Sequence, residues 1–481
     1  MKSKHIAAIE IGSSRIKGIV AAVDDTAAIR VLAVEEDDSG ENVRYGRVQN
    51  GREAGNLVNE IIRRLENNPN VAPGRITSVF VANGGRSLSS SKAEASVSLG
   101  GEAEITRQTL ERLHKEARYN LATDRDVLAI APRRFVVDNA EVKKIVGAFG
   151  NMVRGEFTIV TASPENRRAL DRVSILSHDE AVPREYLVRF IAQADMALTD
   201  SDAQLGCLFI DFGAETTTLA IYKGGTLQAA SVLPMGSANI TLDICAGLST
   251  TAEVAENIKI SKGRAVIDRI NIQAPDDETR EVIQFVSARA GEIVANINNF
   301  IEQAGFKPAE LAAGIVITGG GARLKGFNDM LEAQTKLKVR PAAVDASILM
   351  SIPGNPADHF DVISLVKYAA DHSDRECVTY PEGTPEPEAP AQAAPVFTQP
   401  QQPTQRPVAA GTRRNVALDD PDLLKDDMDD DDDYSSINED TNLDDLAPDE
   451  TPEKTRQSLL SRIKNWIAPT IDDVDRDEDD E

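Results

Sequence analysis

The chain has 481 residues, 41% of them apolar, which is enough for two or more domains with buried cores. Its formal net charge is -26, and the charge is uneven, because 30 of the 78 acidic but only 10 of the 52 basic residues lie from Asp374 onward. The excess of acid argues against nucleic acid as a partner. The three scattered cysteines fit a reducing cytosol without disulfides or zinc. The sequence contains no run of about 18 apolar residues, so it predicts no membrane span.

The first part of the chain has the pattern of a sheet covered by a helix. Residues 5–22 alternate and then run apolar through a glycine, which is typical of a β-hairpin. Apolar spacing predicts a helix over 54–67 and a buried strand over 76–82. From 83 to 163 the composition changes, which predicts a small inserted α+β subdomain. Its predicted elements are a helix over 106–120, opened by Thr106 and Thr109 without a full capping box, and strands over 127–138 and 156–162.

The later part of the chain repeats the layout of the N-terminus. Residues 206–222 form a second strand–turn–strand pattern, and this internal echo predicts two similar lobes. The last predicted helix is expected to close the folded part near residue 373. The other predicted elements are helices over 165–174, 186–198, 250–262, 279–304, 324–336 and 360–368, and strands over 174–176 and 314–318.

Composition changes again after residue 376. Proline and glutamine dominate 381–407, and aspartate dominates 419–433. Neither stretch can bury enough apolar surface to offset the entropy of ordering, so we expect a disordered linker up to residue 452. The aspartate run acts either as a repulsive spacer or as a binding segment, and the sequence leaves both open.

Residues 453–469 interrupt this linker pattern with an apolar stripe beside basic residues. Thr451 is the expected N-cap, Pro452 the first helical residue and Pro469 the stop. The single tryptophan of the chain lies here, and tryptophan is favoured at the bilayer interface, so we expect a membrane anchor on a flexible leash. Docking into a protein groove is the alternative. The membrane-facing stripe consists of Leu459, Leu460, Ile463, Trp466 and Ile467.

Three glycine-bearing turns follow apolar runs, at residues 9–14, 210–217 and 317–322. Glycine at a strand end lets backbone N–H groups approach a phosphate without a Cβ in the way. Three such turns in this order indicate two lobes that close on a nucleotide. Asp211 is also expected to hold Mg²⁺ through water. The predicted nucleotide-binding residues in the turns are Gly12, Ser13, Ser14, Arg15, Asp211, Gly213, Thr216, Thr217, Gly319, Gly320 and Gly321.

With these turns the chain resembles the superfamily of actin, Hsp70 and the sugar kinases, and within it the FtsA family of bacterial actin-like cell-division proteins. The resemblance covers residues 5–370, and the position of the inserted block separates FtsA-like chains from the other members. The stretches that carry it are Ile9-Glu-Ile-Gly-Ser-Ser-Arg, Asp211-Phe-Gly-Ala-Glu-Thr-Thr and Ala312-Ala-Gly-Ile-Val-Ile-Thr-Gly-Gly-Gly-Ala.

The resemblance implies an α/β, actin-like two-lobed ATPase fold with ATP and Mg²⁺ as cofactors. The phrase Ala255-Glu-Asn-Ile-Lys is similar to the family's purine- and ribose-contacting helix, which implies those roles for Glu256 and Lys259. The implied division of the chain is a first lobe over 1–82, 164–203 and 345–373, an inserted subdomain over 83–163, a second lobe over 204–236 and 306–344 with its outer part over 237–305, a linker over 374–452, an amphipathic helix over 453–469 and an acidic tail over 470–481.

Two departures from the family pattern concern the lobes. Ala214 and Glu215 stand where relatives usually carry glycines, and a carboxylate there would lie near phosphates of like charge. We therefore expect ATP binding with weak hydrolysis at most, and assign no catalytic base. Alternatively, the Glu215 side chain points to solvent and perturbs nothing. Ser364, in place of a glycine in the closing helix, is a milder change.

The resemblance also implies a mainly structural role in cell division. It implies an ATP-binding scaffold that polymerises head to tail, anchors the FtsZ ring to the cytoplasmic face of the membrane at the septum, and helps to assemble other division proteins. The C-terminal peptide of FtsZ would bind the outer second lobe, where Arg289 is the predicted contact unless it lies on a solvated helix face. The alternatives are a pilus-assembly scaffold, a sugar-kinase-like phosphotransferase and a chaperone, none of which gives the terminal helix a role.

Overall fold

The computed structural model describes residues 3–24, 26–121, 123–266, 276–345 and 347–381. The predicted linker beyond 381, the terminal helix with its apolar stripe, and the acidic tail lie outside these described residues. Among the helices within them, none is both long enough and apolar enough to cross a bilayer.

The elements follow one another in the chain as five groups. The first group is β1 (Lys4–Ile11), β2 (Arg15–Val23), β3 (Ile29–Asp38), β4 (Val43–Arg44), β5 (Arg47–Val48), α1 (Gly51–Asn67), β6 (Arg75–Ile76) and β7 (Val79–Asn83). The inserted block contains β8 (Ser89–Glu104), α2 (Arg107–Asn120), β9 (Asp126–Val137), β10 (Ala140–Glu141) and β11 (Phe149–Ala162). The third group is α3 (Pro164–Asp171), β12 (Leu176–Ser177), β13 (Glu180–Ala181), β14 (Arg184–Val188), α4 (Arg189–Ala197) and α5 (Asp200–Leu205).

The second lobe and the closing segment supply the rest. The second lobe contains β15 (Cys207–Phe212), β16 (Thr217–Lys223), β17 (Thr226–Leu233), α6 (Ser237–Gly247), α7 (Ala252–Lys262), α8 (Asp277–Gln303), β18 (Gly314–Thr318), α9 (Phe327–Thr335) and β19 (Val339–Pro341). The closing segment contains β20 (Leu349–Met350), α10 (Phe360–His372) and β21 (Val378–Thr379). Short 3₁₀ turns lie at Gly40–Asn42, Pro308–Glu310, Gly320–Arg323 and Pro356–His359.

The first lobe is built on a six-stranded sheet in the order β14-β7-β1-β2-β3-β20. The predicted N-terminal hairpin is confirmed, with Ile11 paired to Ile16 across its turn, and β7 and β14 extend the sheet in parallel. The predicted helix over 54–67 is confirmed as α1, whose buried face includes Ile61 and Leu65. It packs closely on β2, because a Cβ on Gly18 would lie 2.5 Å from Ile61 Cγ2.

The second lobe repeats this arrangement. The strands β19-β18-β15-β16-β17 have the same order and relative directions as β14-β7-β1-β2-β3, with a hairpin at the centre and parallel strands on one side. The internal echo predicted from the sequence is therefore confirmed. Helices α6, α7 and α8 form the outer part of this lobe around Ile240, Ile244, Val282 and Val286.

The inserted block is an antiparallel sheet of β8, β9 and β11 with α2 packed against it. Its sheet continues into the second-lobe sheet through a backbone pairing between Ser89 and Ser231. A hydrogen bond from Ala230 N to Ser90 Oγ at 2.7 Å supports the junction. The inserted subdomain is thus attached to the first lobe through the chain and to the second lobe through its sheet.

Helix α2 begins with a reciprocal cap, which corrects the prediction of an incomplete one. Thr109 N donates to Thr106 Oγ1, and Thr106 N donates to Thr109 Oγ1, both at 3.4 Å. The hydroxyl of Thr109 therefore does what a glutamate or glutamine side chain usually does at this position.

Other parts of the structure also differ from the predictions. The helix predicted over 186–198 starts too early, because Arg184–Val188 pairs in parallel with β7 as β14. Helix α6 (Ser237–Gly247) was not predicted. The predicted linker start at residue 374 is wrong, since β21 pairs with β6 and Cys377 is fully buried.

Candidate functional site

The turns after β1 and β15 have the same hydrogen-bonded geometry. Gly12 N donates to Arg15 O at 3.0 Å, and Gly213 N donates to Thr216 O at 2.9 Å. A Cβ on Gly12 would lie 2.8 Å from Arg15 O, and one on Gly213 would lie 3.0 Å from Thr216 O. Both glycines are therefore required by the turn itself, whatever binds above it.

The third turn packs against the second. Gly319 has a φ of +92°, and a Cβ there would lie 2.4 Å from Phe212 O and 2.7 Å from Asp211 Oδ1. A Cβ on Gly321 would lie 2.7 Å from the Phe212 ring. Gly320 differs, because it is exposed and nothing lies within 4 Å of its Cβ position. Gly320 is thus the glycine of this turn that leaves space for a ligand.

Arg189, the first residue of α4, connects the acids at the heads of the first and second turns. Its Nη1 lies 2.8 Å from Glu10 Oε1, and its Nη2 lies 2.7 Å from Asp211 Oδ2. Glu10 precedes Gly12 by two residues, and Asp211 precedes Gly213 by two residues. Because the third turn packs beside Asp211, all three turns meet around this guanidinium.

The cluster is almost closed to water. Glu10 is 7% exposed, Asp211 is 4% exposed, and the Arg189 side chain is 16% exposed. Burial and the nearby Asp361 raise the pKa of Glu10 to about 7, against the lowering effect of Arg189 and Lys17. Burial alone would lower the pKa of Arg189, but the Asp211 and Glu10 carboxylates raise it above its ordinary value, so the guanidinium stays charged.

Asp211 is the predicted magnesium ligand, and its carboxylate is already paired with Arg189. Mg²⁺ usually binds one or two carboxylates together with substrate phosphates. A cation beside the guanidinium would be repelled, since unit charges about 4 Å apart interact by about 4 kcal/mol at an effective dielectric constant of about 20. With Arg189 in place, these residues do not fit a magnesium ion at Asp211. The described residues contain no cluster of three or more His, Cys, Asp or Glu side chains that could hold a metal.

The polar residues of the first turn have mixed surroundings. Ser13 Oγ accepts a hydrogen bond from Gly46 N at 2.8 Å. Ser14 is exposed, so its hydroxyl can reach a ligand. The Arg15 guanidinium forms an ion pair with Glu36 on the adjacent strand β3. The positive charge predicted for this turn is therefore already compensated.

The two threonines of the second turn are buried. Thr217 Oγ1 donates to Met235 O at 2.8 Å, so its hydroxyl proton is used within the protein. Thr216 contributes the carbonyl that closes the turn with Gly213. This geometry leaves backbone N–H groups, rather than the Thr217 hydroxyl, as phosphate donors.

Glu256 and Lys259 are brought together on α7. Lys259 Nζ donates to Glu256 Oε2 at 2.7 Å and to Ser237 O at 3.1 Å. Ser237 N in turn donates to Gly213 O at 3.0 Å. The pair is therefore connected to the second turn through the start of α6, the helix that sequence analysis missed.

Glu215 bridges the two lobes. Its Oε2 accepts a hydrogen bond from Tyr45 N at 2.5 Å, and its Oε1 lies 2.7 Å from Arg44 Nε. Arg44 and Tyr45 belong to the first lobe, and the Glu215 side chain is only 13% exposed. The side chain therefore does not point to solvent, which was one of the two expected alternatives; its closeness to bound phosphates stays a prediction.

Arg289 lies beside a groove on the outer second lobe. Its Nε lies 2.6 Å from Asp243 Oδ2 and its Nη1 lies 2.5 Å from Glu292 Oε2, so two carboxylates compensate its charge. The groove has a volume of about 450 Å³. Its lining residues are Asp243, Ala246, Gly247, Phe285 and Ala288.

Sequence analysis missed the ionic contacts that join the turns. Glu10 interrupts a buried apolar strand, and a charge at such a position signals a partner. Arg189 directly follows the strand β14, but the apolar pattern at the end of this strand continues into α4, so residues 186–198 were all assigned to one helix. Nothing in the sequence pairs Arg44 with Glu215.

The fold and the site together define an actin-like protein of two similar lobes with converging glycine turns. In its fold the chain is similar to a solved structure titled "PilM-PilN type IV pilus biogenesis complex", with a TM-score of 0.51 at 15% identity, over 75% of this chain and 94% of that one. A family model described as "Cell division protein FtsA" matches residues 208–357. A second, described as "SHS2 domain inserted in FTSA", matches residues 85–161.

Curated relatives agree with the family models. A protein of Porphyromonas gingivalis named "Cell division protein FtsA" is 27% identical over 376 residues, which are 75% of this chain and 77% of the relative. A protein of the same name from Borreliella burgdorferi is 26% identical over 377 residues, or 75% of this chain and 88% of the relative. In its second lobe and in its inserted subdomain the chain is therefore similar to the FtsA family of cell-division proteins.

Proposed function

We propose that the chain is an ATP-binding scaffold that tethers the FtsZ ring to the cytoplasmic face of the membrane at the division septum. The observation that carries the nucleotide part is the meeting of three glycine turns from two lobes around one guanidinium. Backbone N–H groups of strand-end turns beside a fixed cation suit a polyphosphate.

The proposed ATP contacts divide among the turns. The first turn offers its backbone and Ser14, and the second offers the N–H groups around Gly213. The adenosine would lie against Gly320, where the surface is open. Glu256 and Lys259 would contact the ribose and purine, and their connection to the second turn supports this.

Hydrolysis is proposed to be weak at most. Glu215 is held by the first lobe, so it is not free to orient a water molecule. Arg189 carries a positive charge and cannot act as a base. Mg²⁺ at Asp211 stays a prediction, against which the Arg189 pairing argues.

The groove on the outer second lobe is the proposed site for the C-terminal peptide of FtsZ. Phe285 and Ala288 offer an apolar floor, and Gly247 allows the Phe285 ring to lie close, since a Cβ there would come within 2.2 Å of it. Because Asp243 and Glu292 already neutralise Arg289, we expect apolar side chains of the peptide to supply most of the affinity.

Membrane attachment rests on the sequence of residues 453–469. Five apolar side chains inserted at an interface contribute a few kcal/mol at most in one copy, because each is only partly buried. Stable attachment then requires many copies side by side, which a head-to-tail polymer would provide.

Vesicle flotation tests the membrane part of the proposal. With ATP present, the intact chain should float with liposomes of bacterial lipid, and Trp466→Glu should lower the bound fraction at least about fivefold, because a charge is costly inside the interface. Trp466→Phe is the matched control and should float nearly as well as the intact chain. Equal flotation of the intact chain and Trp466→Glu would contradict the anchor.

The alternatives are weaker on specific grounds. The pilus-complex match shows the shared fold alone, at 15% identity. A sugar kinase needs a carboxylate free to deprotonate a hydroxyl, and both buried acids in the cleft are paired with Arg189. Flotation separates these functions from the proposed one, because neither requires the terminal helix.

A further inference from the structure

Arg189 occupies a position that none of the expected nucleotide contacts explains. It starts helix α4 directly after the buried strand β14. Its guanidinium is held by Glu10 of the first lobe and by Asp211 of the second, at 2.8 and 2.7 Å. Two acids fix the orientation of one cation at the point where the glycine turns meet.

A nucleotide that enters this cleft needs a positive charge close by. Its phosphates must approach Asp211, whose charge has the same sign as theirs, and also Glu10, which adds to the repulsion whenever it is ionised. Two other cations near the turns pair within the first lobe, whereas Arg189 lies between acids of both lobes. Arg15 pairs with Glu36, and Lys17 Nζ lies 2.7 Å from Asp361 Oδ2.

The guanidinium has donors to spare. Arginine offers five N–H groups in a planar fork that matches a phosphate. Of these, the two carboxylate contacts described above involve Nη1 once and Nη2 once. Gly84 lies beside this side chain, since a Cβ there would be 3.7 Å from Arg189 Nε, which is ordinary van der Waals contact. The side chain is 16% exposed, so part of it remains open to a ligand.

We propose that Arg189 is the cation of the nucleotide site, that its guanidinium contacts the phosphates directly, and that binding therefore needs no divalent metal. The proposal rests on the proposed binding of ATP. Glu10 and Asp211 hold the fork ready in the absence of ligand. When phosphates bind, they share the guanidinium with the two carboxylates.

The first test needs no substitution. The affinity of the purified full-length chain for ATP is measured by titration calorimetry in buffer with Mg²⁺ and in buffer with EDTA. We expect the two dissociation constants to agree within about threefold. A wild-type affinity that falls more than about tenfold in EDTA would overturn the proposal.

Variants then assign the effect to the guanidinium. Arg189→Gln should bind ATP more than about tenfold more weakly in EDTA, and Mg²⁺ should restore part of the loss because the freed Asp211 can then hold it. Arg189→Lys keeps the charge, so its affinity for ATP in EDTA should lie between those of the wild type and Arg189→Gln. Arg340→Gln is the matched control, since Arg340 forms a similar pair with Asp202, at 2.6 Å, on β19 and α5.

The outcomes distinguish the proposed role of Arg189 from the proposed binding of ATP. If the wild-type chain binds no ATP with or without Mg²⁺, ATP binding itself is wrong. If it binds only with Mg²⁺, ATP binding stands and the role of Arg189 fails. If Arg189→Gln binds as the wild type does in EDTA, with an unchanged circular dichroism spectrum, the phosphate contact is likewise refuted.

Discussion

At the scale of single residues, glycines that look alike in the sequence have different tasks. Gly12, Gly213 and Gly319 are needed to form or pack the turns, because any Cβ would meet backbone oxygen at 3.0 Å or less. Gly320 has open space instead. A side chain at Gly320 would therefore weaken the binding of a ligand there without disturbing the fold.

Replacing Gly320 with valine tests this distinction. We expect Gly320→Val to fold normally and to bind ATP at least about tenfold more weakly, or about 1.4 kcal/mol, because the isopropyl group fills space proposed for the adenosine. Titration calorimetry measures the change. Gly291→Val is the control, since Gly291 also has nothing within 4 Å of its Cβ position but lies on α8. Equal affinities in both variants would exclude the proposed adenosine position.

At the scale of elements, the inserted subdomain depends on a helix packed over its sheet. His114 of α2 lies edge-on to Phe157 of β11, with ring centroids 5.3 Å apart. Burial lowers the pKa of His114 below its ordinary value of 6.5. The folded state therefore holds this imidazole neutral where the unfolded chain would protonate it.

This contact predicts a pH-dependent stability. Because the folded pKa is depressed, the contribution is complete above pH 6.5 and is lost progressively as pH falls below that value. Urea unfolding between pH 7.5 and 5 should therefore show a falling free energy, and His114→Asn should show a shallower fall. The same slope in both chains would mean that His114 is not the group responsible.

At the scale of the whole molecule, several ionic contacts join the two lobes, and two of them lie at the glycine turns. Arg189 and Asp211 join them among the three turns, and Glu215 joins them through Arg44 and the Tyr45 backbone. The Glu215 contact lies beside the second turn, so a nucleotide that leaves the cleft is expected to leave past it. Opening and closing of the lobes should then depend on this carboxylate.

Removing the Glu215 contact should speed the release of nucleotide. We expect Glu215→Ala to raise the dissociation rate of a fluorescent ATP analogue about five- to twentyfold, because a charge-assisted hydrogen bond that holds the lobes together is lost. Stopped-flow displacement with excess ATP measures the rate. Glu165→Ala is the control, since Glu165 pairs with Arg168 within the first lobe. An unchanged rate in Glu215→Ala would show that the contact does not limit release.

The sequence by itself determined the local structure of this protein. The hairpins, the long helices and the positions of the glycine turns follow from periodicity and from backbone geometry, which depend on residues close together in the chain. It also indicated the duplicated lobes, because Phe212 and Gly213 repeat the setting of Ile11 and Gly12. These features are short-range, so a pattern can show them.

Only the tertiary structure decided which charges meet. Arg189 and Glu10 are 179 residues apart, and Glu215 and Tyr45 are 170 apart. Their partnership depends on the packing of whole lobes, which no local pattern encodes. The same reason explains β14, since residues 186–188 at the start of the predicted helix became part of a strand, because β7 offered them an edge to pair with.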